Sequence, residues 1–173
     1  FYRQLAQAPA ALKKHAKVGS TLSEKRQRLT EKKNSKRRRA QQTFLNNLPL
    51  EDQTARVLDY YTSGRLDEAE TVATSLTQNF PQHHAGWLGL GAVFRDTGRL
   101  KESMEALSVA VSLAPSDAMS HHNLGVVLQE LDRLNEAEEA FRRTTELKPD
   151  YALAFCNLGK TLHRLDRLYD AVF

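Results

Sequence analysis

Six histidines, one cysteine and a scatter of carboxylates are the side chains in this sequence suited to acid–base, nucleophilic or metal chemistry. Their spacing argues against all three. His83 and His84 are adjacent, and neighbouring residues point apart. Cys156 and His163 are two helical turns apart, about 10.5 Å, whereas one zinc holds each ligand at about 2.0–2.3 Å. Glu136, Glu138 and Glu139 have the spacing of an exposed helical face, and nothing beside them desolvates one carboxylate into a general acid. No phosphate-cradling glycine loop, nucleophile elbow or HExxH motif occurs. The expectation is a segment without catalytic residues, metal ligands or cofactor, and so not itself an enzyme.

Asn123 and Asn157 offer a different chemistry. Each opens an Asn-Leu-Gly run, one at residues 123–125 and the other at 157–159. A carboxamide donates and accepts at once, so a row of them suits the backbone of an extended polypeptide. The competing reading is a local cap or turn, or an amide that simply faces water. The equivalent upstream positions hold Ala55 and Gly89.

Those equivalences come from an internal period. Pro81, Pro115 and Pro149 fall 34 residues apart, and the residues between them repeat in type. Trp87, Leu90, Gly91, Phe94, Gly98, Leu100, Ser103, Leu107 and Ala110 precede Pro115. The same positions before Pro149 hold His121, Leu124, Gly125, Leu128, Asp132, Leu134, Ala137, Phe141 and Thr144. Copies also precede Pro81 and begin again at Phe155. Each unit contains two amphipathic segments with apolar residues at three- and four-residue spacing. Helix pairs are expected near 50–79, 83–113 and 117–147, with a partial pair from 151 whose second helix starts at about Leu168. Gly64 and Gly98, then Asp132 and Asp166, mark turns that need left-handed backbone. Gly91, Ser103 and Ala110, like Gly125, Ala137 and Thr144, are small enough for paired helices to approach closely. One such unit cannot bury its apolar face alone, whereas stacked units share a core.

Trp87-x2-Leu90-Gly91-x2-Phe94 resembles the opening of the tetratricopeptide repeat signature, with Phe94 where tyrosine is usual. The resemblance spans residues 50–173. It implies an all-α fold, a right-handed α-solenoid of stacked antiparallel helix pairs. The repeats would run over 50–83, 84–117 and 118–151, with a partial one over 152–173, inside an array covering 43–173.

First helices of such an array line a concave face. In this register the face comprises Thr54, Leu58, Tyr61, Leu88, Ala92, Arg95, Met119, His122, Asn123, Val126, Gln129, Cys156, Asn157, Lys160 and His163. His121 shares the position of Trp87 and is read as a packing residue. The expected function is a protein-interaction module that binds a peptide or partner segment in this groove. The resemblance extends to arrays that precede O-linked N-acetylglucosamine transferases, where asparagines in the same Asn-Leu-Gly context grip substrate polypeptide. It therefore carries an alternative: a substrate-recruiting part of a larger glycosyltransferase, sulfotransferase or methyltransferase. Family members that bind chaperone tails use a clamp of Lys, Asn and Arg, whereas Thr54, Leu58, Leu88 and Ala92 are uncharged, so that role is not expected.

Residues 1–42 stand apart. They hold 13 Lys and Arg against two acids, net +11, while the remainder holds 12 against 19, net −7, giving the overall +4. The stretch 25–39 is the densest, and Leu29 is its only large aliphatic residue. It is expected to be a basic, partly disordered or partly helical segment. Nucleic acid is its secondary partner class, through phosphate contacts alone, because residues 3–43 lack aromatic side chains for stacking. Attraction to an anionic membrane surface is a further reading, with weak anchoring. No apolar run approaches the ~18 residues of a membrane span, and no signal-peptide pattern opens the chain. The lone Cys156 suits a reducing compartment, and a cytoplasmic location is expected. The sequence opens without Met and stops inside a repeat, which reads as part of a longer protein. It leaves Phe155, Leu158 and Leu162 short of cover, with weak self-association through that end expected.

Overall fold

The computed structural model describes residues 10–165. The expected helix from Leu168 and the turn at Asp166 lie outside these residues. Eight α-helices occur among them: α1 (Ala10–Asn46), α2 (Leu50–Thr62), α3 (Leu66–Asn79), α4 (His84–Asp96), α5 (Leu100–Leu113), α6 (Ala118–Glu130), α7 (Leu134–Leu147) and α8 (Ala152–Arg164). The chain divides into two compact units after Phe44.

Of the two alternatives expected for the basic segment, α1 is the helical one, continuous from Ala10 to Asn46. The reason is local. Between Pro9 and Pro49 no proline interrupts the chain, and Ala, Leu, Lys, Arg, Gln and Glu, the strongest helix formers, dominate it.

From Leu45 onward the helices form the expected right-handed solenoid of antiparallel pairs. The same local devices recur from one helix pair to the next. α2, α4 and α6 each end in a chain reversal closed by paired backbone bonds. Gly64 N donates to Tyr61 O and Arg65 N to Tyr60 O. Gly98 with Arg99, and Asp132 with Arg133, repeat both bonds. The central residue is left-handed each time, with φ of 72° at Gly64, 77° at Gly98 and 61° at Asp132. The following arginine pairs with a glutamate three residues on, as in Arg65–Glu68, Arg99–Glu102 and Arg133–Glu136. Arg99 also reaches back to Glu70 at 2.8 Å, joining successive repeats.

A β-carbon at Gly98 would meet nothing within 4 Å, so the backbone alone decides a substitution there. Left-handed strain of about 1–2 kcal/mol outweighs the roughly 0.4–1 kcal/mol gained by removing a glycine from the unfolded chain. Gly98→Ala should therefore lower stability modestly, by about 1 kcal/mol or less, in urea unfolding, and Gly98→Asn by less. Equal midpoints for Gly98→Ala and the parent would contradict the turn assignment.

Two apolar clusters fill the stack. One gathers Leu45, Val57, Val72, Ala73, Leu76, Leu90 and Ala106, and the other Leu128, Ala137, Ala140 and Phe141. Small residues set the helix spacing as expected. The Ser103 hydroxyl donates to Gly91 O at 2.6 Å. A β-carbon on Gly91 would fall 2.4 Å from Leu107 Cγ, and one on Gly125 would fall 2.8 Å from Phe141 Cε1. His121 does the work of Trp87: Trp87 Nε1 donates to Pro81 O at 3.0 Å, and His121 Nε2 meets Pro115 O at 3.0 Å.

Candidate functional site

First helices α2, α4, α6 and α8 meet in succession, α2 against α4, α4 against α6 and α6 against α8. This places residues distant in sequence along one inner face. A cavity of about 260 Å³ opens there, lined by Thr54, Val57, Leu58 and Tyr61 of α2, Ala85, Leu88, Gly89 and Ala92 of α4, and Met119 and Asn123 of α6. Its walls are mostly apolar, and Leu58 and Met119 are 62% and 41% exposed.

Gly89 is what opens it. A β-carbon at that position would lie 2.7 Å from Val57 Cγ1, so the contact of α2 with α4 excludes a side chain. The position equivalent to Asn123 is thereby emptied. An asparagine row cannot reach this repeat, and open space takes its place.

Polar groups frame the cavity. The Tyr61 hydroxyl donates to Asp96 Oδ2 at 2.7 Å and accepts from Arg95 Nη2 at 3.1 Å, while Arg95 Nε donates to Asp96 Oδ1 at 2.9 Å. Burial, with the Asp96 carboxylate second, raises the Tyr61 pKa above its usual value, although Arg95 opposes this. The phenol therefore stays protonated. The Thr54 hydroxyl turns back to Leu50 O at 2.8 Å. Neither the Asn123 nor the Asn157 side chain makes a hydrogen bond among the described residues, and both are half-buried. Each carboxamide is thus left with donors and acceptors to offer.

Farther along, Gln129, Lys160 and His163 line a second cavity of about 530 Å³ with Gly159 and Arg164. Gln129 Nε2 donates to Thr161 Oγ1 at 3.1 Å, tying α6 to α8. Arg164 holds Gln129 O and Asp132. Cys156 is exposed with a free thiol. Among the described residues, no three His, Cys, Asp or Glu side chains cluster as metal ligands.

The structure therefore gathers Thr54, Leu58, Tyr61, Leu88, Met119 and Asn123 into one cavity, and Gln129, Lys160 and His163 into another. Three expected groove residues serve otherwise. His122 is only 5% exposed, its ring between those of Phe141 and Tyr151 at centroid distances of 5.7 and 4.8 Å. Val126 packs on the Leu128–Phe141 cluster. Arg95 stands at the rim, but its guanidinium is committed to Asp96 and Tyr61. Val57, Ala85, Gly89 and Asp96 are the contributors that the helical register left out. Only Gly89 carried a sequence signal, as the glycine in a row otherwise holding Ala55, Asn123 and Asn157.

His122 also gives the array a pH dependence. Burial, with the Arg95 charge second, holds its imidazole below the usual 6.5. The unfolded chain takes up a proton near that pH where the folded array does not. The stability contributed by the neutral ring is fully present above about pH 6.5 and is lost as pH falls through the depressed folded value. The thermal midpoint should fall between about pH 7 and pH 5, and less steeply in His122→Phe. The phenylalanine variant should be no less stable at neutral pH, because Nδ1 has no partner among the described residues. A wild-type profile no steeper than the variant's would contradict this account.

Two models of the tetratricopeptide repeat match the chain, one over residues 54–118 and the other over residues 119–151, together more than half of it. No curated protein sequence matches it. Among similar solved structures is MamA, at 20% identity and a TM-score of 0.67, with 73% of each chain covered. Another is the first tetratricopeptide domain of RPAP3 (Spaghetti) bound to the HSP90 peptide SRMEEVD, at 20% identity and a TM-score of 0.65, covering 68% of this chain and 95% of that one. These two show a shared fold alone. A third is the Thermobaculum terrenum O-GlcNAc transferase, at 25% identity and a TM-score of 0.63, covering 66% of this chain and 22% of that one.

Proposed function

Because this chain belongs to the tetratricopeptide repeat family, and so carries a protein-interaction module, we propose that its inner face holds an extended, mainly uncharged stretch of a partner polypeptide. The cavity floored by Gly89 carries this reading. It takes one aliphatic side chain of the ligand against Leu58, Leu88 and Met119, while the Asn123 carboxamide at its edge holds the adjoining peptide group. Asn157 stands one repeat farther on and offers the same bond to the next stretch of backbone. The peptide on the RPAP3 domain is acidic, whereas Arg95, the cation at the rim of this cavity, already pairs with Asp96. An uncharged ligand suits such walls better.

Selection of unstructured peptides from a display library against the full chain tests the preference. Binders are expected to share an aliphatic residue and to carry few acids. Enrichment of acid-rich C-terminal peptides instead would overturn the proposal.

A second reading places this groove at the head of a larger transferase, recruiting its polypeptide substrate. It is favoured by the Asn-Leu-Gly context of Asn123 and Asn157 together with the likeness to the O-GlcNAc transferase, of which this chain covers 22%. The full reading frame decides it: a transferase domain beyond Phe173 supports this reading, and its absence rejects it.

A further inference from the structure

α1 carries 12 of the 25 lysines and arginines of the chain. Taken by itself, this helix exposes every side chain described from Leu22 to Phe44. No ion pair engages their charges among the described residues, whereas arginines of the array pair with carboxylates, as in Arg99–Glu70, Arg142–Glu138 and Arg164–Asp132.

The charges of α1 are not spread evenly. At about 100° per residue, each lysine and arginine between Lys25 and Arg39 falls within one half of the circumference, Arg38 apart, whose side chain is not described. Both acids, Glu24 and Glu31, fall in the other half with Gln27, Thr30 and Asn34. The exposed apolar residues Leu22, Leu29 and Phe44 fall in the cationic half. Leu22 and Leu29 stand near its midline, with Arg28 and Lys32 on one flank and Arg26 and Lys33 on the other.

We propose that this face of α1 docks the protein onto an anionic lipid bilayer, with the helix lying in the interface plane. Apolar residues on the midline enter the headgroup boundary while flanking cations meet lipid phosphates and carboxylates, which is how interfacial helices bind. The acids point to water, so nothing on the docked face repels the surface. From Lys25 to Arg39 is about 21 Å, short enough for the whole cationic run to touch one patch of headgroups. No helix among the described residues is long and apolar enough to cross the membrane, so α1 lies on the bilayer. Nucleic-acid phosphates would attract the same cations but gain nothing from exposed leucines.

Each cation near an anionic surface strengthens adsorption about fivefold, whereas two leucines alone anchor weakly. Co-sedimentation of the full chain with phosphatidylcholine vesicles, with and without phosphatidylserine, should therefore show binding only when the anionic lipid is present, and less at high salt. Replacing Lys25→Gln, Lys32→Gln, Lys33→Gln and Lys36→Gln together should weaken it on the order of a hundredfold or more, with helicity unchanged by circular dichroism. Leu22→Ser with Leu29→Ser should weaken vesicle binding and leave retention on duplex DNA unaltered. Equal binding to neutral and anionic vesicles, or by the lysine variant and the parent, would overturn the proposal. So would full vesicle binding by the leucine variant with duplex DNA competing, which would make α1 a nucleic-acid arm instead.

Discussion

Gly125→Leu should be among the most damaging single changes in the array, with a thermal midpoint lower by on the order of 10 °C. The β-carbon alone would come within 2.8–3.0 Å of three atoms of the Phe141 ring. Phe141 is fully buried, as are Ala137 and Thr144 on the same helix, so the ring has no space to retreat into. Overpacking a tight core costs about 1–3 kcal/mol, occasionally more, and this geometry belongs at the upper end. Helix propensity opposes the loss by nearly 1 kcal/mol, since leucine is a better helix former than glycine. The steric term is larger, and the sign is therefore clear. Ala137→Leu adds bulk to the same α6–α7 contact and should act in the same direction. Gly91→Ala provides a sharper test of sign: propensity predicts stabilisation, whereas a β-carbon 2.4 Å from Leu107 Cγ predicts destabilisation. Unchanged unfolding midpoints for Gly125→Leu and Ala137→Leu would refute the packing role of these positions.

The paired change Asn123→Ala and Asn157→Ala should carry the largest effect on binding. Neither carboxamide is bonded among the described residues, so each has its full capacity to offer a ligand. One hydrogen bond between neutral groups is worth about 0.5–1.5 kcal/mol net. Losing both should weaken affinity by about 1–3 kcal/mol, roughly 5- to 150-fold. Stability should change by about 0.5 kcal/mol or less, as half-exposed polar positions outside the core usually do. Isothermal calorimetry with a selected peptide, beside thermal unfolding of the same samples, separates the outcomes. Equal affinity removes the asparagines from the groove. Parallel loss of folding and binding makes them structural.

Most of this fold was legible because its determinants are local and periodic. A left-handed turn needs glycine or aspartate wherever it recurs, and close helix pairs need Gly91 or Gly125 where they touch. α1 was less legible because a helix without a sustained apolar stripe lacks the amphipathic signal. Its residues are helix formers, and propensity alone is a weak guide. The groove was legible in part. Inner helices are packed on both sides, so positions toward the edge of the assigned face turn into the core. His122 and Val126 are lost to the groove for that reason. Arg95 and Tyr61 meet only because α2 and α4 stack, an encounter between repeats that spacing within one repeat does not reveal. The cavity itself depends on Gly89 lying against Val57, again a contact between repeats.

Amide and methyl NMR of the isotopically labelled chain, titrated with a selected peptide, tests the central claim most directly. The account predicts shifts concentrated on Leu58, Leu88, Met119 and Asn123, continuing to Asn157, with little change at the exposed Val109 of α5. Saturable binding that leaves those inner residues unmoved and shifts the outer helices α3, α5 and α7 would contradict it.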